Sequence, residues 1–227
     1  KRLPMIKNII FDAYGTLIST GTGSVHATKA IFSKYDLAED ADEIYKKWKK
    51  IHRENIFSLE EFITEEEIFV KDLEKMFELY GITGDPKTAI KPMLDSLVDR
   101  KLFEETESVI DKLSENYIIA IGSTTDTAPL LHNIEGTSLE RINPIFTSEI
   151  LRCYKPNVKF YSEILHRTKW KAEECLFVGD SLYDDVIGPM KEGMAVVLID
   201  RKKQYASVPE GAKRIKSLTE LCGIIND

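Results

Sequence analysis

Three short stretches of the 227-residue sequence end an apolar run on a side chain that could do chemistry, and a fourth carries such a side chain after the third strand, just before a helix. Asp12 closes the run in "IIFDAYGTL", and Ser123 and Thr124 close "YIIAIGSTTD". Lys155 lies in "RCYKPNVKFY", and Asp180 closes "CLFVGDSLYDD", with Asp184 and Asp185 one turn later. A carboxylate can act as a nucleophile and form an aspartyl-phosphate. Magnesium asks for hard oxygen ligands and keeps several waters, so one or two carboxylates, a carbonyl and a phosphate suffice. The metal and a lysine ammonium would offset clustered negative charge and stabilise a transferring group. A serine hydroxyl, with backbone N–H groups at a helix start, can hold phosphate oxygens. Singly each residue says little, because an acid at a strand end is more often a helix N-cap. Together and in order, they point to phosphoryl transfer on one edge of one sheet.

The elements that must position them can be read from periodicity. Apolar runs at 6–11, 117–122, 145–147, 175–178 and 195–199 predict strands, with a weaker one near Arg214. Runs such as "YIIAIG" and "CLFVG" have no polar face, as strands covered on both sides should. Helical patterns near 104–115, 126–135, 157–168, 183–192 and 217–225 alternate with them, and Pro156 can open the third at its first position. Such alternation implies βαβ units, right-handed crossovers and a parallel sheet.

Residues 20–90 break the alternation and carry only helical spacing. Ile44, Trp48 and Ile51 form one stripe; Phe62, Phe69, Leu73, Met76 and Tyr80 a second; Ile90, Leu94 and Leu97 a third. Trp48 and the aromatic stripe read as packing between helices. "STGTGS" at 19–24 is a flexible exit, and "GITGDP" at 81–86 stops one helix and starts another. The fold class expected is α/β: a Rossmann-like parallel sheet formed by 1–19 and 91–227, with an all-helical cap domain inserted at 20–90. Such an insert would sit above the carboxyl ends of the strands, where open α/β sheets bind ligands.

Composition excludes several other classes. The net charge of −7 is spread without a basic block, which argues against a nucleic-acid surface. No apolar run approaches the roughly 20 residues that span a bilayer. The opening "KRLPMIKNII" runs into a strand without a secretory pattern. Cys153, Cys175 and Cys222 lack paired spacing, so reduced thiols in a cytoplasmic protein are expected. His26, His52, His132 and His166 make no ligand spacing and read as surface or helix-face residues. Arg53 with Lys46–Lys50 reads as a solvated basic helix face.

The whole pattern, from Ile6 to about Leu198, resembles the haloacid dehalogenase (HAD) superfamily with a C1 cap, its subfamily I. "FDAYGTL" is similar to the nucleophile motif, Ser123 to the hydroxyl motif, Lys155 in "YKP" to the third, and "VGDSLYDDVIGPMKEGM" to the fourth. The resemblance implies an aspartyl-ester mechanism with Asp12 as nucleophile. It makes Asp180 a magnesium ligand, supported by Asp185 with Asp184 as a possible second, and it assigns Ser123, Thr124 and Lys155 to substrate.

One position departs from the pattern. Phosphatases of this superfamily usually carry a second aspartate two residues after the nucleophile, as general acid and base; here the residue is Tyr14. A tyrosine there resembles the metal-independent 2-haloacid dehalogenases, whose halide leaves unprotonated. The fourth motif points the other way, because Asp180 beside Asp12 is costly unless a cation lies between them. The expectation is therefore Mg²⁺ bound by Asp12, Asp180, Asp185 and the backbone carbonyl of Tyr14. The tyrosine ring itself reads first as packing beneath the cap. Catalysis falls to Asp12, Tyr14, Ser123 and Lys155, in a phosphatase of a small phosphorylated metabolite. The alternatives are a metal-independent 2-haloacid dehalogenase and a non-catalytic protein that binds a phospho-ligand or a partner. Neither the particular substrate nor the oligomeric state can be read.

Overall fold

The computed structural model describes residues 5–226. Residues 1–4, on which the expected absence of a leader partly rests, lie outside the described residues, as does Asp227. The chain divides into two compact units: 1–19 with 102–227, and 20–101.

The first unit is built on a six-stranded sheet in the order β3-β2-β1-β4-β5-β6. Its strands are β1 (Asn8–Phe11), β2 (Ile118–Ser123), β3 (Ile145–Thr147), β4 (Cys175–Gly179), β5 (Ala195–Ile199) and β6 (Lys213–Ile215), and all pairs are parallel. Alternate residues feed opposite faces, as the pleat requires. Ile9 and Phe11 of β1, Leu176 and Val178 of β4 and Val197 and Ile199 of β5 join one apolar cluster. Ile10, Phe177, Val196 and Leu198 join the other. With both faces covered, each such side chain is worth roughly 1.5–3 kcal/mol of burial. This is the α/β Rossmann-like class that the uniformly apolar runs imply.

The second unit is all-helical: α1 (Gly23–Phe32), α2 (Ala41–Phe57), α3 (Glu65–Tyr80), α4 (Pro86–Ala89) and α5 (Lys91–Val98). Capping boxes start α2 at Asp40 with Glu43 and α3 at Thr64 with Glu67. Gly81 ends α3 in the left-handed conformation, and Asp85 caps α4 ahead of Pro86, as "GITGDP" implies. The expected boundary at 90 moves to 101, because Met93 and Leu97 of α5 pack into the same cluster as Trp48, Leu73 and Met76. Phe62 precedes the Thr64 cap and so lies outside the stripe assigned to it. His52 is a half-buried residue on one face of α2. It stacks on Phe69 and bonds through Nδ1, at 2.6 Å, to the fully buried Asp72, which also accepts from Trp48 Nε1 and Asn55 Nδ2. Burial is the largest influence and opposes charge on His52, but the bond to Asp72 and the charges of Asp72 and Glu65 together outweigh it and raise the imidazole pKa. His26, His132 and His166 are exposed, as are Lys46, Lys47, Lys49, Lys50 and Arg53.

The remaining helices of the sheet unit are α6 (Thr106–Ser114), α7 (Thr127–Ile134), α8 (Ser148–Leu151), α9 (Val158–Thr168), α10 (Gly188–Lys191) and α11 (Leu221–Asn226). The helix after Lys155 is capped by Asn157 and starts at Val158, so Pro156 precedes it and does not occupy its first position. Among the described residues no helix is long and apolar enough to cross a membrane.

Candidate active site

The sheet order explains why residues far apart in sequence meet. β1 lies between β2 and β4, so the chain order reverses across it and its carboxyl end opens into the crevice of a topological switch point. Asp12 follows β1 there, and its N–H donates to the Val178 carbonyl at 2.8 Å, one step beyond the last paired strand residue. The chain then turns tightly: the Ala13 carbonyl accepts from the N–H groups of Leu17 and Ile18, both at 2.8 Å. Gly15 makes the turn at φ +92°, and a Cβ on it would overlap the Asp180 carboxylate. Glycine is needed there both for the dihedral and for the close approach of the fourth strand's acid.

On the other side of β1, Ser123 ends β2 and is 1% exposed. Its hydroxyl donates to Asp12 Oδ1 at 3.3 Å. Lys155 Nζ donates to Asp12 Oδ1 and to Asp185 Oδ1, both at 2.7 Å. The Lys155 side chain is 1% exposed, and its ammonium lies 5.0 Å from the Phe177 ring centroid and 5.6 Å from that of Phe160. A buried ammonium without bulk water is held by carboxylates and ring faces.

The stretch "GDSLYDD" folds to put its last acid back toward its start. Ser181 caps the helical turn Leu182–Ile187 by accepting from the Asp184 N–H, and Asp185 Oδ2 accepts from the Ser181 N–H at 2.9 Å. Gly179 permits this, since a Cβ there would meet the Asp185 carboxylate. The turn is wider than an α-helix, and the helix expected at 183–192 splits into it and α10.

Carboxylate oxygens of Asp12, Asp180 and Asp185 all lie within 4.8 Å of one another. Three carboxylates thus face one ammonium, an excess of two negative charges when all are ionised. Burial, then Asp12 and Asp185, push the Asp180 carboxyl up to about 8. Burial also raises Asp185, to about 7, against the opposing pull of Lys155. Burial disfavours the charge on Lys155, yet Asp12 and Asp185 outweigh it and hold its pKa above the ordinary range. Clustered hard oxygens that resist ionisation unaided suit a small divalent cation such as magnesium.

Asp12, Ser123, Lys155, Asp180 and Asp185 are therefore brought together. Thr124 is half-buried at the same edge, outside the hydrogen bonds that join Asp12, Ser123, Lys155 and Asp185. Tyr14 is half-buried and packs against the apolar cluster containing Ile9, Leu17 and Ile18. Asp184 stays outside the carboxylate group; its backbone carbonyl accepts from the Tyr161 hydroxyl. Arg201, Tyr205 and Glu105 escaped the sequence reading although they border this region. Arg201 follows Asp200 directly after β5, so the rule that polar residues ending strands mark the site, extended to the fifth strand, would have found it.

The haloacid dehalogenase-like hydrolase family model matches residues 9–199. A curated relative, the glyceraldehyde 3-phosphate phosphatase of Methanothermobacter thermautotrophicus, is 23% identical over 203 residues, 86% of each chain. The HAD-type protein YfnB from Bacillus subtilis, solved with magnesium bound, superposes with a TM-score of 0.82 at 19% identity over 100% of both chains. The L-2-haloacid dehalogenase from Xanthobacter autotrophicus superposes with a TM-score of 0.80 at 17% identity, over 98% of this chain and 99% of that one. Structural likeness at such identities speaks for the fold alone. The family match, running from within β1 to the end of β5, makes this chain a member of the haloacid dehalogenase-like hydrolases.

Proposed function

We propose that this hydrolase is a magnesium-dependent phosphatase of a small phosphorylated metabolite, with Asp12 as its nucleophile. The observation that carries the reading is the close set of Asp12, Asp180 and Asp185 against a single lysine. The curated phosphatase relative, named for a small sugar phosphate, supports it from outside the structure. Lys155 fixes the Asp12 carboxylate by donating to its Oδ1, and the Ser123 hydroxyl, donating to the same oxygen, limits its rotation. An oxygen of Asp12 forms a bond to phosphorus while the bond to the leaving oxygen breaks. The leaving oxygen takes up a proton from solvent; water then attacks the acyl phosphate, its bond to Asp12 breaks, and phosphate, the Asp12 carboxylate and a proton to solvent are released. Ser123, Thr124 and Lys155 would hold phosphoryl oxygens. Bound by Asp12, Asp180, Asp185 and the Tyr14 carbonyl, magnesium would offset the excess charge and polarise the phosphoryl group. The helical insert takes the role of a C1 cap. Three free cysteines suit a reducing, cytoplasmic setting.

A second reading, metal-independent 2-haloacid dehalogenase, is favoured by Tyr14, which occupies the usual place of the phosphatase acid. An enzyme that expels halide needs no acid, but it gains nothing from a third carboxylate beside the nucleophile. Phosphate and chloride release from simple phosphate monoesters and 2-chloro acids, with and without EDTA, separates the two. Phosphate release that EDTA abolishes, and that Asp12→Asn lacks, is expected. Chloride release indifferent to EDTA would replace this reading with the second.

A further inference from the structure

Both loops of the cluster are tied to one short turn after β5. The Arg201 guanidinium donates from Nη2 to the Thr16 carbonyl at 2.9 Å and from Nε to the Gly15 carbonyl at 3.4 Å. Its Nη1 donates to Glu105 Oε1 at 2.7 Å, and its Cζ lies 3.6 Å from the Phe103 ring centroid. Four residues on, the Tyr205 hydroxyl donates to the Asp180 carbonyl at 3.2 Å and accepts from the Leu182 N–H at 3.3 Å. The turn between them is itself fixed. The buried Asp200 carboxylate accepts from the N–H groups of Gln204 and Tyr205, and the Arg214 guanidinium holds the Tyr205 carbonyl at 2.7 Å. One end of this turn thus grips the backbone just after Asp12, and the other grips the backbone of Asp180.

We propose that residues 200–205 form a strut that sets the spacing between the Asp12 and Asp180 loops, with Arg201 and Tyr205 as positioning residues for the hydrolase reaction. The inference rests on Asp12 as nucleophile, but it holds for either leaving group. A planar guanidinium suits the first joint because it reaches two successive carbonyls and a carboxylate at once; a lysine ammonium on the same stem is a single point charge. The strut matters because Gly15 and Asp180 touch: were the two loops to separate, the carboxylates would lose the spacing that makes them a joint ligand set.

The test uses the full chain with Arg201→Met, Arg201→Lys and Tyr205→Phe. Each is measured for thermal unfolding, for Mg²⁺ affinity by calorimetry, and for kcat and KM on whichever substrate class releases product. Tyr205→Phe keeps the ring and removes only the hydroxyl bridge. It should weaken Mg²⁺ binding by about 10–100-fold, the usual cost of losing a group that orients a ligand, with little change in melting. Arg201→Met should lower kcat by about 10²-fold, as misplacement of a reacting group by an ångström does, with KM nearly constant. Arg201→Lys should recover part of that loss. Wild-type Mg²⁺ affinity and kcat in both Tyr205→Phe and Arg201→Met would overturn the strut. So would a fall in kcat matched by the loss of folded protein. If the unsubstituted protein binds no Mg²⁺, kcat for halide release decides alone. Failure of the nucleophile reading shows separately, as turnover by Asp12→Asn.

Discussion

Lys155→Met removes the one cation of the cluster while keeping most of the stem that lies near Phe160 and Phe177. Its effect therefore isolates charge from packing. The side chains concerned are 1% exposed for Lys155, 2% for Asp185 and 9% for Asp12, so this is a buried set, not a surface pair. Breaking a buried pair by deleting one partner leaves an uncompensated charge and costs about 3–5 kcal/mol, against about 0–1 for an exposed pair. A large share of a typical folding stability of about 5–15 kcal/mol is then at stake. The loss should appear in urea denaturation with EDTA present and grow as the pH rises, because Lys155 is the charge that opposes the upward push of burial on Asp180 and Asp185. It should shrink in mild acid, where protonation relieves the repulsion. Saturating magnesium should restore part of it, about 2.7 kcal/mol at a hundredfold excess over Kd. A loss under about 1 kcal/mol, as for an exposed pair, or one that is the same in acid and base, would refute the buried cluster.

The same charges set the pH dependence of the unsubstituted protein. Asp180 and Asp185 bind protons more tightly folded than unfolded, so without metal they should make stability fall as pH rises from the ordinary carboxylate range to about 8. Magnesium should flatten that slope, and its affinity should climb with pH across the same window, which titrations in EDTA and in Mg²⁺ check. Tyr14→Asp should narrow the gap between aryl and alkyl phosphates by up to about 10²-fold by supplying a general acid. Steady-state kinetics on p-nitrophenyl phosphate and a sugar phosphate read this out; an unchanged gap would mean that another group already protonates the leaving oxygen.

Much of the sheet was legible because its strands are buried on both faces. "CLFVG" and "AVVLI" carry no polar residue to confuse helix with strand, and the runs at 145–147 and 195–199 match β3 and β5 residue for residue. The acids were legible for a related reason: a charge at the end of such a run has only the sheet edge to occupy. What periodicity could not show was pairing between distant polar groups. The buried Asp72 sits in a helix whose apolar stripe is otherwise regular, and only the fold reveals that Trp48, His52 and Asn55 satisfy it. Arg201 was hidden likewise, since its partners at Gly15 and Thr16 are carbonyls that leave no mark on the sequence. The boundary at 101 was missed because α5 is amphipathic and could have packed against either unit.

The central claim is that Asp12, Asp180 and Asp185 act together as a magnesium site serving a phosphoryl group. Calorimetric titration of Mg²⁺ into the unsubstituted protein and into Asp180→Ala tests it most directly. One site per chain is expected in the first, with binding and phosphatase activity lost together in the second. Unchanged magnesium binding by Asp180→Ala, or no binding by the unsubstituted protein, would contradict it.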